Sequence, residues 1–454
     1  MSLHWWGPTT IMLDADRRFQ TIDGWAVYPR YWEDDKVQDR FDRSFERHTE
    51  EVSKVLVDEA GINAVRVEIW SGLENPVDHW IGHYEGRSSY TEYKTLRYEK
   101  VNDNDDPYTA NPAGFQFSKF DHRMETMVLP IKRALEARGE KMYVNVCYVD
   151  FGLRGKARQG SLSHADNPEE FAEFVLVFFK RLRDKYGIEP DSFEVILEPD
   201  NTTQWRGREI GRGLVSVARR LEANGFKPEY VAPSAASMGN GIRYFDEMVK
   251  VPGVLQKLGT FAYHRYGKQG TSLVEEIQAR ARKHGLKTAM LEYLDGDIDV
   301  LLEDLLVGHV SSWQQWAAAG KSEWGGSKSF YVFVDDSNPS NVRISVSDLS
   351  LHLAQVFRFV RRGAVRIGAI SDNAAVISAA FINRDGGQVV ILRAREAGGS
   401  VRIAGLAAGR YAARFVDNDR RAEDRPPIAI NAGETLTLEL NRPGVLTVYS
   451  LTSK

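Results

Sequence analysis

The chain has 454 residues, which is too long for one ordinary domain and fits a domain of roughly 250–350 residues with a smaller partner. A hydrophobic fraction of 43%, a charged fraction of 27% and a net charge of −4 are typical of a globular protein, and they disfavour nucleic acid or an anionic membrane as the main partner. The single cysteine, Cys147, excludes a disulfide framework and a cysteine-based zinc site within one chain. No run of about 18 apolar residues is present, so we expect no membrane span.

The first three quarters of the chain alternate predicted strands and helices. Residues 10–22 predict one or two short strands with a turn at 14–16, and residues 23–27 predict the next strand. Further strands are predicted at 64–69, 142–148, 193–197, 230–233, 258–263, 288–292 and 311–316, and helices at 44–59, 120–138, 168–182, 208–223, 242–249, 300–309 and 349–360, with another beginning at 272.

The spacing of these elements indicates an α/β barrel. Predicted strands starting near 193, 230, 258 and 288 are separated by 37, 28 and 30 residues, which is typical of βαβ units. Eight strand–helix units fit between Gly24 and Val360, and this number favours a closed (β/α)8 barrel. No glycine-rich phosphate loop follows a predicted strand, which disfavours a nucleotide-binding sheet.

After Gly363 the pattern changes to short strands separated by turn residues, which predicts an antiparallel β-sandwich. The predicted strands are 375–383, 388–394, 400–404, 411–417, 427–431, 435–440 and 444–451. No helix links residues 10–22 to the barrel, so we expect them to complete the sandwich. The predicted organisation is N-terminal strands over 1–22, the barrel over 23–362 and the sandwich over 363–454.

Two glutamates stand where predicted barrel strands end. Glu198 follows the apolar run 195–197, and Glu292 ends the run 288–291, three β/α units later. Side chains at the carboxyl ends of barrel strands meet at one mouth, where the active sites of such barrels lie. Retaining cleavage of a glycosidic bond needs two carboxyl groups about 5–5.5 Å apart, one as acid and one as nucleophile. The alternative is that each glutamate forms an ordinary structural ion pair.

Other polar and aromatic residues lie at neighbouring strand ends. Arg66 sits inside an apolar run and needs an acidic partner, either a catalytic carboxylate or a structural one such as Glu68. His264 and Tyr266 follow the sixth strand and can hydrogen-bond a nucleophile or substrate, although a structural role is also open for the histidine. The remaining candidates for the substrate site are Asn145, Asn201 and, as a stacking platform, Trp313 or Trp316, with core packing as the alternative for either tryptophan.

A long predicted loop, residues 70–116, separates the second strand from the next helix. It is polar and rich in aromatic side chains, which suit stacking on sugar faces, and loops of this length are usually functional or disordered. Its acidic run, 102–106, lacks the glycine and the spaced glutamate of a calcium loop, so a solvated turn is the preferred interpretation.

The order of these motifs resembles clan A glycoside hydrolases, and most of all family 30 and its relatives. The segments that carry the resemblance are Gln20-Thr21-Ile22-Asp23-Gly24-Trp25, Arg66, Glu198-Pro199, His264-Arg265-Tyr266, Glu292 and residues 354–364. The resemblance implies a retaining mechanism, with Glu198 as acid/base and Glu292 as nucleophile. The family places an asparagine directly before the acid/base to contact the sugar, whereas this chain has Leu197. Either Asn201 or Asn145 replaces that contact, or the substrate differs there, or activity is reduced.

The sequence therefore predicts a retaining O-glycosyl hydrolase that acts on β-glycosidic bonds of an oligo- or polysaccharide, as a monomer without metal or other cofactor. Leu197 motivates an alternative, a non-catalytic carbohydrate-binding protein on a decayed glycosidase barrel. A metal-dependent barrel hydrolase is a weaker alternative, because no cluster of metal ligands is evident at the strand ends. The start Met1-Ser2-Leu3-His4 lacks a signal pattern, and we expect a secreted or periplasmic protein whose signal peptide is missing from this sequence.

Overall fold

The computed structural model of the chain describes residues 8–35, 39–152, 162–321 and 330–451. These residues form a closed parallel barrel with helices between its strands, and a separate, mostly antiparallel nine-stranded sheet with its own apolar core. The predicted fold class, a (β/α)8 barrel with a β-sandwich side domain, is thereby confirmed. The residue limits of the domains stay a prediction.

Eight parallel strands make the barrel, and hydrogen bonds between the seventh and eighth strands and between the eighth and the first close it. In chain order they are Gly24–Tyr28, Ala64–Trp70, Tyr143–Val149, Ser192–Glu194, Glu229–Ser237, Leu258–Tyr266, Lys287–Glu292 and Val310–Lys321. We number them barrel strands 1 to 8. Their residues are almost all buried because helices cover the outside and side chains fill the inside.

The helices of the barrel follow the strands in sequence. They are Thr49–Val55, Ser118–Arg123, Leu129–Glu136, Pro168–Tyr186, Gly207–Ala223, Met238–Met248, Val254–Lys257, Thr271–Lys283, Ile298–Leu306 and Asp348–Phe357. The helix predicted over 120–138 is interrupted by a π-helical turn at Met124–Val128. Pro130 explains this interruption, because it has no backbone N–H to donate to the preceding turn. The helix predicted over 44–59 is likewise divided into a 3₁₀ turn, Ser44–Arg47, the helix Thr49–Val55 and a π turn, Leu56–Ala60.

A hairpin beyond the eighth barrel strand is absent from the sequence-based prediction. Phe330–Asp335 pairs in parallel with barrel strand 8, and Arg343–Val346 pairs antiparallel with Phe330–Asp335. A small pair, Asp34–Asp35 with Arg40–Phe41, was also not predicted. The apolar run 330–334 carried the signal for the hairpin, but the count of eight units was already complete without it.

The side domain contains the N-terminal strand and eight C-terminal strands. They are Thr9–Thr21, Val365–Ser371, Val376–Ile382, Gln388–Ala394, Ser400–Ala404, Gly409–Asp417, Ala422–Ile430, Leu436–Glu439 and Gly444–Ser450. Of the one or two short strands predicted over residues 10–22, the structure has one, Thr9–Thr21. The turn predicted at 14–16 is wrong, because these residues lie within the strand, at a register shift between Asp14 and Arg18. This strand pairs antiparallel with Val365–Ser371 and in parallel with Ser400–Ala404, so it joins the side domain as predicted.

The chain crosses between the two parts at one place. The backbone N–H of Ile22 donates to the carbonyl of Ala364 at 2.8 Å, and the N–H of Gly363 donates to the carbonyl of Ile22 at 2.7 Å. Gly363 has φ 87°, a left-handed conformation that residues with a side chain rarely adopt. The outgoing and returning chains are thus hydrogen-bonded to each other where the barrel meets the side domain.

The segment predicted as a long loop, 70–116, is folded. It contains the 3₁₀ turns Ser71–Leu73 and Pro112–Gly114 and the helices His79–Tyr84 and Tyr90–Leu96. Asp78 and Ser89 cap the two helices, accepting hydrogen bonds from the N–H groups of Ile81 and Glu92. We call residues 70–116 the insertion. Over the described ranges of the whole chain, no helix is both long enough and apolar enough to cross a membrane.

The last barrel helix offers a test of the packing. The ring of Phe357 is fully buried and stacks on Trp25 with a centroid distance of 4.7 Å. We expect Phe357→Ala to lower the free energy of unfolding by about 3–5 kcal/mol, because it leaves a cavity beneath the barrel. Urea unfolding measures the change. Ile370→Ala is the control, since that side chain is 61% exposed and its loss should cost under about 0.5 kcal/mol. Equal losses in the two variants would contradict this packing.

Candidate active site

A cleft of about 340 Å³ opens at the carboxyl ends of the barrel strands. From the barrel it is lined by Tyr28, Arg66, Glu68, Val149, Leu197, Glu198, Glu292 and Trp316, and from the insertion by Trp70, Trp80, Tyr90, Tyr93, Lys94, Arg97 and Tyr98. The insertion therefore forms one wall of the cleft. Aromatic rings and charged groups alternate on this wall, with Trp70 and Tyr98 stacked at 5.2 Å.

Glu198 reaches the cleft from an unusual backbone conformation. Barrel strand 4 ends at Glu194, but the next residues stay hydrogen-bonded to the strands on either side. The N–H of Leu197 donates to the Tyr148 carbonyl in barrel strand 3, and the N–H of Glu198 donates to the Ser234 carbonyl in barrel strand 5. Glu198 itself has φ 45° and ψ 60°, in the left-handed region. For a residue other than glycine this costs about 1–3 kcal/mol and persists only where surrounding contacts enforce it. Such strain is frequent at functional sites.

Two side chains hold the carboxylate of Glu198. His264 Nδ1 lies 3.0 Å from its Oε1, and Asn201 Nδ2 donates to its Oε2 at 2.7 Å. The ring of His264 is fully buried. Behind Glu198, Asp200 accepts hydrogen bonds from the N–H of Ala236 at 2.7 Å and of Ser237 at 3.1 Å, and so ties the turn to barrel strand 5. These contacts fix the direction of the Glu198 side chain.

Glu292 is held by different partners. Arg66 Nη2 donates to Glu292 Oε2 at 2.6 Å, and the Tyr266 hydroxyl donates to Oε1 at 3.0 Å. Arg66 also contacts Glu68 Oε1 at 3.4 Å and the Leu291 carbonyl at 3.3 Å. Arg66 thus contacts both strand-end acids, Glu292 and Glu68, and the shorter contact is to Glu292.

Burial and neighbouring charges shift the acidity of Glu292 and of the two side chains beside it. Burial raises the pKa of Glu292, while the positive charges of Arg66 and His264 oppose that shift, and the guanidinium contact favours the ionised form. Burial lowers the pKa of His264, but the hydrogen bond that its ring donates to Glu198 and the charge of Glu292 outweigh burial and raise this pKa above its ordinary value. Burial, followed by the charge of Glu292, also raises the pKa of Tyr266, so its hydroxyl stays a donor.

The two carboxylates lie close together. A carboxylate oxygen of Glu198, a ring nitrogen of His264 and a carboxylate oxygen of Glu292 all fall within 4.8 Å of one another. The two carboxylates are therefore near enough for both to contact one bound molecule.

The same three groups are spaced closely enough to ligate a metal ion, a grouping that the sequence did not reveal. In the structure, however, His264 Nδ1 already contacts Glu198, and Glu292 is bound by Arg66 and Tyr266, while His264 Nε2 is buried without a hydrogen-bond partner among the described residues. Arg66 places a permanent positive charge 2.6 Å from Glu292, and His264 Nδ1 faces Glu198. A cation here would displace an arginine that is itself fully buried.

Two predicted substrate-site residues, Trp313 and Asn145, neither line the cleft nor hydrogen-bond Glu198 or Glu292. Trp313 is fully buried, donates from Nε1 to Asp304 at 2.9 Å and packs against Phe357. It is therefore a core residue, which was the alternative to a stacking platform. Trp316 lines the cleft instead. Asn145 faces the barrel interior, where Nδ2 donates to Glu194 at 2.8 Å and Oδ1 accepts from Ser192 at 2.9 Å. The placement of Trp313 and Asn145 at the substrate site is therefore corrected.

Leu197 closes an apolar corner of the cleft. It packs in a cluster with Cys147 and Val149 and is only 5% exposed. Asn201 and Asn145 were proposed to replace the sugar contact of an asparagine at position 197. The side-chain amide of Asn201 donates to Glu198, and that of Asn145 donates to Glu194. This corner offers apolar surface to a ligand.

Several cleft residues had no signal in the sequence. Arg123, at the end of the helix Ser118–Arg123, pairs with Glu33 at 2.7 Å and contacts the Tyr28 hydroxyl. Lys94 and Arg97 come from the insertion. No periodicity places such residues, since each belongs to a segment that reaches the cleft only through tertiary packing.

Comparison with known proteins gives matches to solved structures. No family model matches the sequence, and no curated protein sequence matches it. The catalytic domain of GH30 xylanase C from Talaromyces cellulolyticus superposes with a TM-score of 0.68 at 16% identity, covering 98% of this chain and 100% of that one. A GH30 endoxylanase from Clostridium papyrosolvens C71 gives 0.65 at 16% identity over 98% and 100% of the two chains.

The endo-beta1,6-glucanase BT3312 gives a TM-score of 0.65 at 14% identity, covering 98% of this chain and 94% of that one. Identities this low show a shared fold alone. Because the similarity runs through both the barrel and the side domain, it confirms the predicted resemblance to glycoside hydrolase family 30 at the level of architecture.

The raised pKa of His264 gives a pH-dependent prediction. A histidine whose folded pKa lies above its unfolded value of about 6.5 contributes stability below that value and loses it as pH rises through the folded pKa. His264→Asn keeps a donor near Nδ1 but not the charge. We expect the difference in Tm between wild type and His264→Asn to be larger at pH 5.5 than at pH 9.

His352→Asn is a matched control of opposite sign. Burial lowers the pKa of His352, whose Nε2 lies 3.0 Å from the Asp417 carbonyl, so its contribution is present above about pH 6.5 and lost as pH falls. Its Tm difference should be larger at pH 9. Identical pH profiles for the two variants would contradict the assignment of charge at His264.

Proposed function

We propose that this protein is a retaining glycoside hydrolase that cleaves β-glycosidic bonds in an oligo- or polysaccharide. The observation that carries the proposal is the pair Glu198 and Glu292, with carboxylate oxygens within 4.8 Å at the mouth of a (β/α)8 barrel. The architecture shared with GH30 xylanases and a glucanase supports the same class of reaction.

In this proposal Glu292 is the nucleophile. Its Oε2 is bound by Arg66 and its Oε1 by Tyr266, contacts that favour the ionised form and aim the carboxylate. It attacks the anomeric carbon while the bond to the leaving oxygen breaks, forming a glycosyl–enzyme ester. Arg66 and Tyr266 then stabilise the leaving carboxylate in the second step.

Glu198 is the acid/base. Together with His264, whose Nδ1 lies 3.0 Å away, it holds one exchangeable proton. That proton goes to the leaving oxygen in the first step. In the second step Glu198 takes a proton from the water that attacks the anomeric carbon, which restores the starting state. Asn201 holds the other oxygen of Glu198 and so positions the carboxyl group for both transfers.

The cleft wall suits a carbohydrate. Trp70 and Tyr98 form a stacked pair in the cleft, and Trp316 of barrel strand 8 also lines it. These rings offer aromatic faces beside polar and charged groups. The neighbouring solved structures are xylanases and an endo-beta1,6-glucanase, so xylan and β-1,6-glucan are the first substrates to test. The apolar corner at Leu197 leads us to include substrates that lack a hydrogen-bonding group at that point.

Leu197 also favours a second candidate function, carbohydrate binding without catalysis. In family 30 an asparagine at this position contacts the sugar, and here the position belongs to an apolar cluster with Cys147 and Val149. Loss of that contact can leave a scaffold that binds but does not turn over.

Covalent trapping tests the proposed roles. A 2-fluoro glycoside of a substrate sugar should add one glycosyl unit to the peptide that carries Glu292, as read by mass spectrometry of a digest, because the fluorine slows the second step. Glu292→Gln should abolish labelling. Glu198→Gln should lower kcat by about 10²–10⁴-fold for substrates with a poor leaving group, since it removes the general acid.

Glu33→Gln is the control, because Glu33 also lines the cleft but pairs with Arg123. It should keep the label. Hydrolysis that survives Glu292→Gln would refute the nucleophile assignment. Activity that is lost to a chelator and restored by a transition metal, but not by calcium, would favour a metal-dependent hydrolase. Tight oligosaccharide binding with no turnover across a broad panel would favour the binding-protein alternative.

A further inference from the structure

Four carboxylates meet at a second place, outside the cleft. They are Glu74, Asp103, Glu170 and Glu173, which we call the carboxylate cluster. Glu74 follows barrel strand 2, Asp103 lies in the insertion, and Glu170 and Glu173 stand one turn apart at the start of the helix Pro168–Tyr186. Oxygens of Glu74, Asp103 and Glu170 lie within 4.8 Å of one another. None of the four lines the cleft.

The cluster contains buried oxygens without partners. Glu74 is 1% exposed and Glu173 is 3% exposed. Among the described residues, no hydrogen-bond donor reaches Glu74 Oε1, Asp103 Oδ1, Glu170 Oε2 or Glu173 Oε1, although each atom is shielded from solvent. The amide oxygen of Asn102, beside Asp103 in the chain, is buried and unpartnered in the same way. Burying ionised carboxylates without compensation is strongly unfavourable.

His164 and Arg220, both among the described residues, can carry positive charge near the cluster. His164 Nε2 contacts Glu74 Oε2 at 2.7 Å, and its Nδ1 meets the Tyr148 hydroxyl at 2.7 Å. Arg220 donates to the Pro107 carbonyl at 2.7 Å and to Glu169 at 3.3 Å, outside the cluster. The carboxylates therefore keep more negative charge than these two residues neutralise.

The geometry places like charges side by side. Oxygens of Glu74, Asp103 and Glu170 lie within 4.8 Å of one another, so the ionised groups repel one another. A positively charged ligand placed among these oxygens would remove the repulsion.

We propose that the carboxylate cluster, together with the amide oxygen of Asn102, is a binding site for a divalent metal ion, and that calcium is the preferred ion. All five unpartnered atoms are oxygens, the donors that hard cations select. Carboxylates and an amide from three separate segments form an irregular set, which suits calcium with its six to eight ligands and flexible geometry. Magnesium prefers a near-ideal octahedron with several retained waters.

The site joins the insertion to the barrel. Glu74 forms a β-bridge with Phe115, and its carbonyl accepts from the N–H of Val101 at 3.0 Å, so both ends of the insertion pass close to it. Gly114 lets Asp103 approach, since a Cβ at Gly114 would stand 2.3 Å from that of Asp103. An ion bound here ties the insertion, which carries one wall of the cleft, to the helix Pro168–Tyr186.

Calcium binding to the full-length protein tests this inference. After treatment with EDTA and exchange into metal-free buffer, titration calorimetry with calcium chloride should show one ion bound per chain. Thermal unfolding should show Tm higher in calcium than in EGTA by at least about 3 °C, because the ion binds only the folded chain. Magnesium at the same concentration should give a smaller shift.

Isosteric variants locate the site. Asp103→Asn and Glu173→Gln should each weaken calcium binding at least tenfold, and the change in Tm between calcium and EGTA should shrink accordingly. Asp105→Asn is the matched control, because Asp105 lies in the same turn but is exposed, and it should bind calcium like the wild type.

Three results would overturn the inference. One is a wild-type protein that neither binds calcium nor changes Tm with it. Another is a loss of binding in Asp105→Asn as large as in Asp103→Asn, which would indicate a surface effect. The third is a Tm that rises as pH falls from 8 to 5 with no effect of calcium, which would show that protons alone neutralise the cluster. Glycosidase activity is not used as a readout, so failure of the proposed function leaves this test intact.

Discussion

The ion pair between Arg66 and Glu292 is the interaction on which the cleft depends. It joins barrel strand 2 to barrel strand 7, and both side chains are almost completely buried. A fully desolvated guanidinium is stable only with an ionised partner, and removing one member of such a pair costs about 3–5 kcal/mol. Arg66 therefore fixes the charge and direction of Glu292, and Tyr266, His264 and Glu198 are arranged around that charge.

Much of the fold was predictable from the sequence because barrels repeat one pattern. Eight apolar runs that predict strands alternate with segments that predict helices. The residues at the carboxyl ends of these strands all lie at the same mouth of the barrel. This periodicity brought Glu198, Glu292, Arg66, His264 and Tyr266 together correctly. The hairpin of Phe330–Asp335 and Arg343–Val346 was missed because it stands outside the repeat, and its pairing depends on a free edge that the sequence does not display.

Residues whose direction depends on tertiary packing were less predictable. Trp313 and Trp316 are three positions apart in one strand, so they point to opposite faces, but the sequence does not tell which face is the cleft. Asp103 lies in an acidic run that reads as a solvated turn, and its inward direction follows from Gly114, eleven positions later. The contacts of the insertion with the barrel likewise have no periodicity to reveal them.

The passage of the chain from the side domain into the barrel and back has a consequence for synthesis of the chain. The strand Thr9–Thr21 is made before the barrel, whereas its partners Val365–Ser371 and Ser400–Ala404 are made after it, and Ile11 pairs with Ser371 across 360 positions. Until then this strand has two open edges, the form in which strands tend to pair with other chains. Four exposed charged residues, Asp14, Asp16, Arg17 and Arg18, keep this strand polar while the barrel folds between the two halves of the side domain.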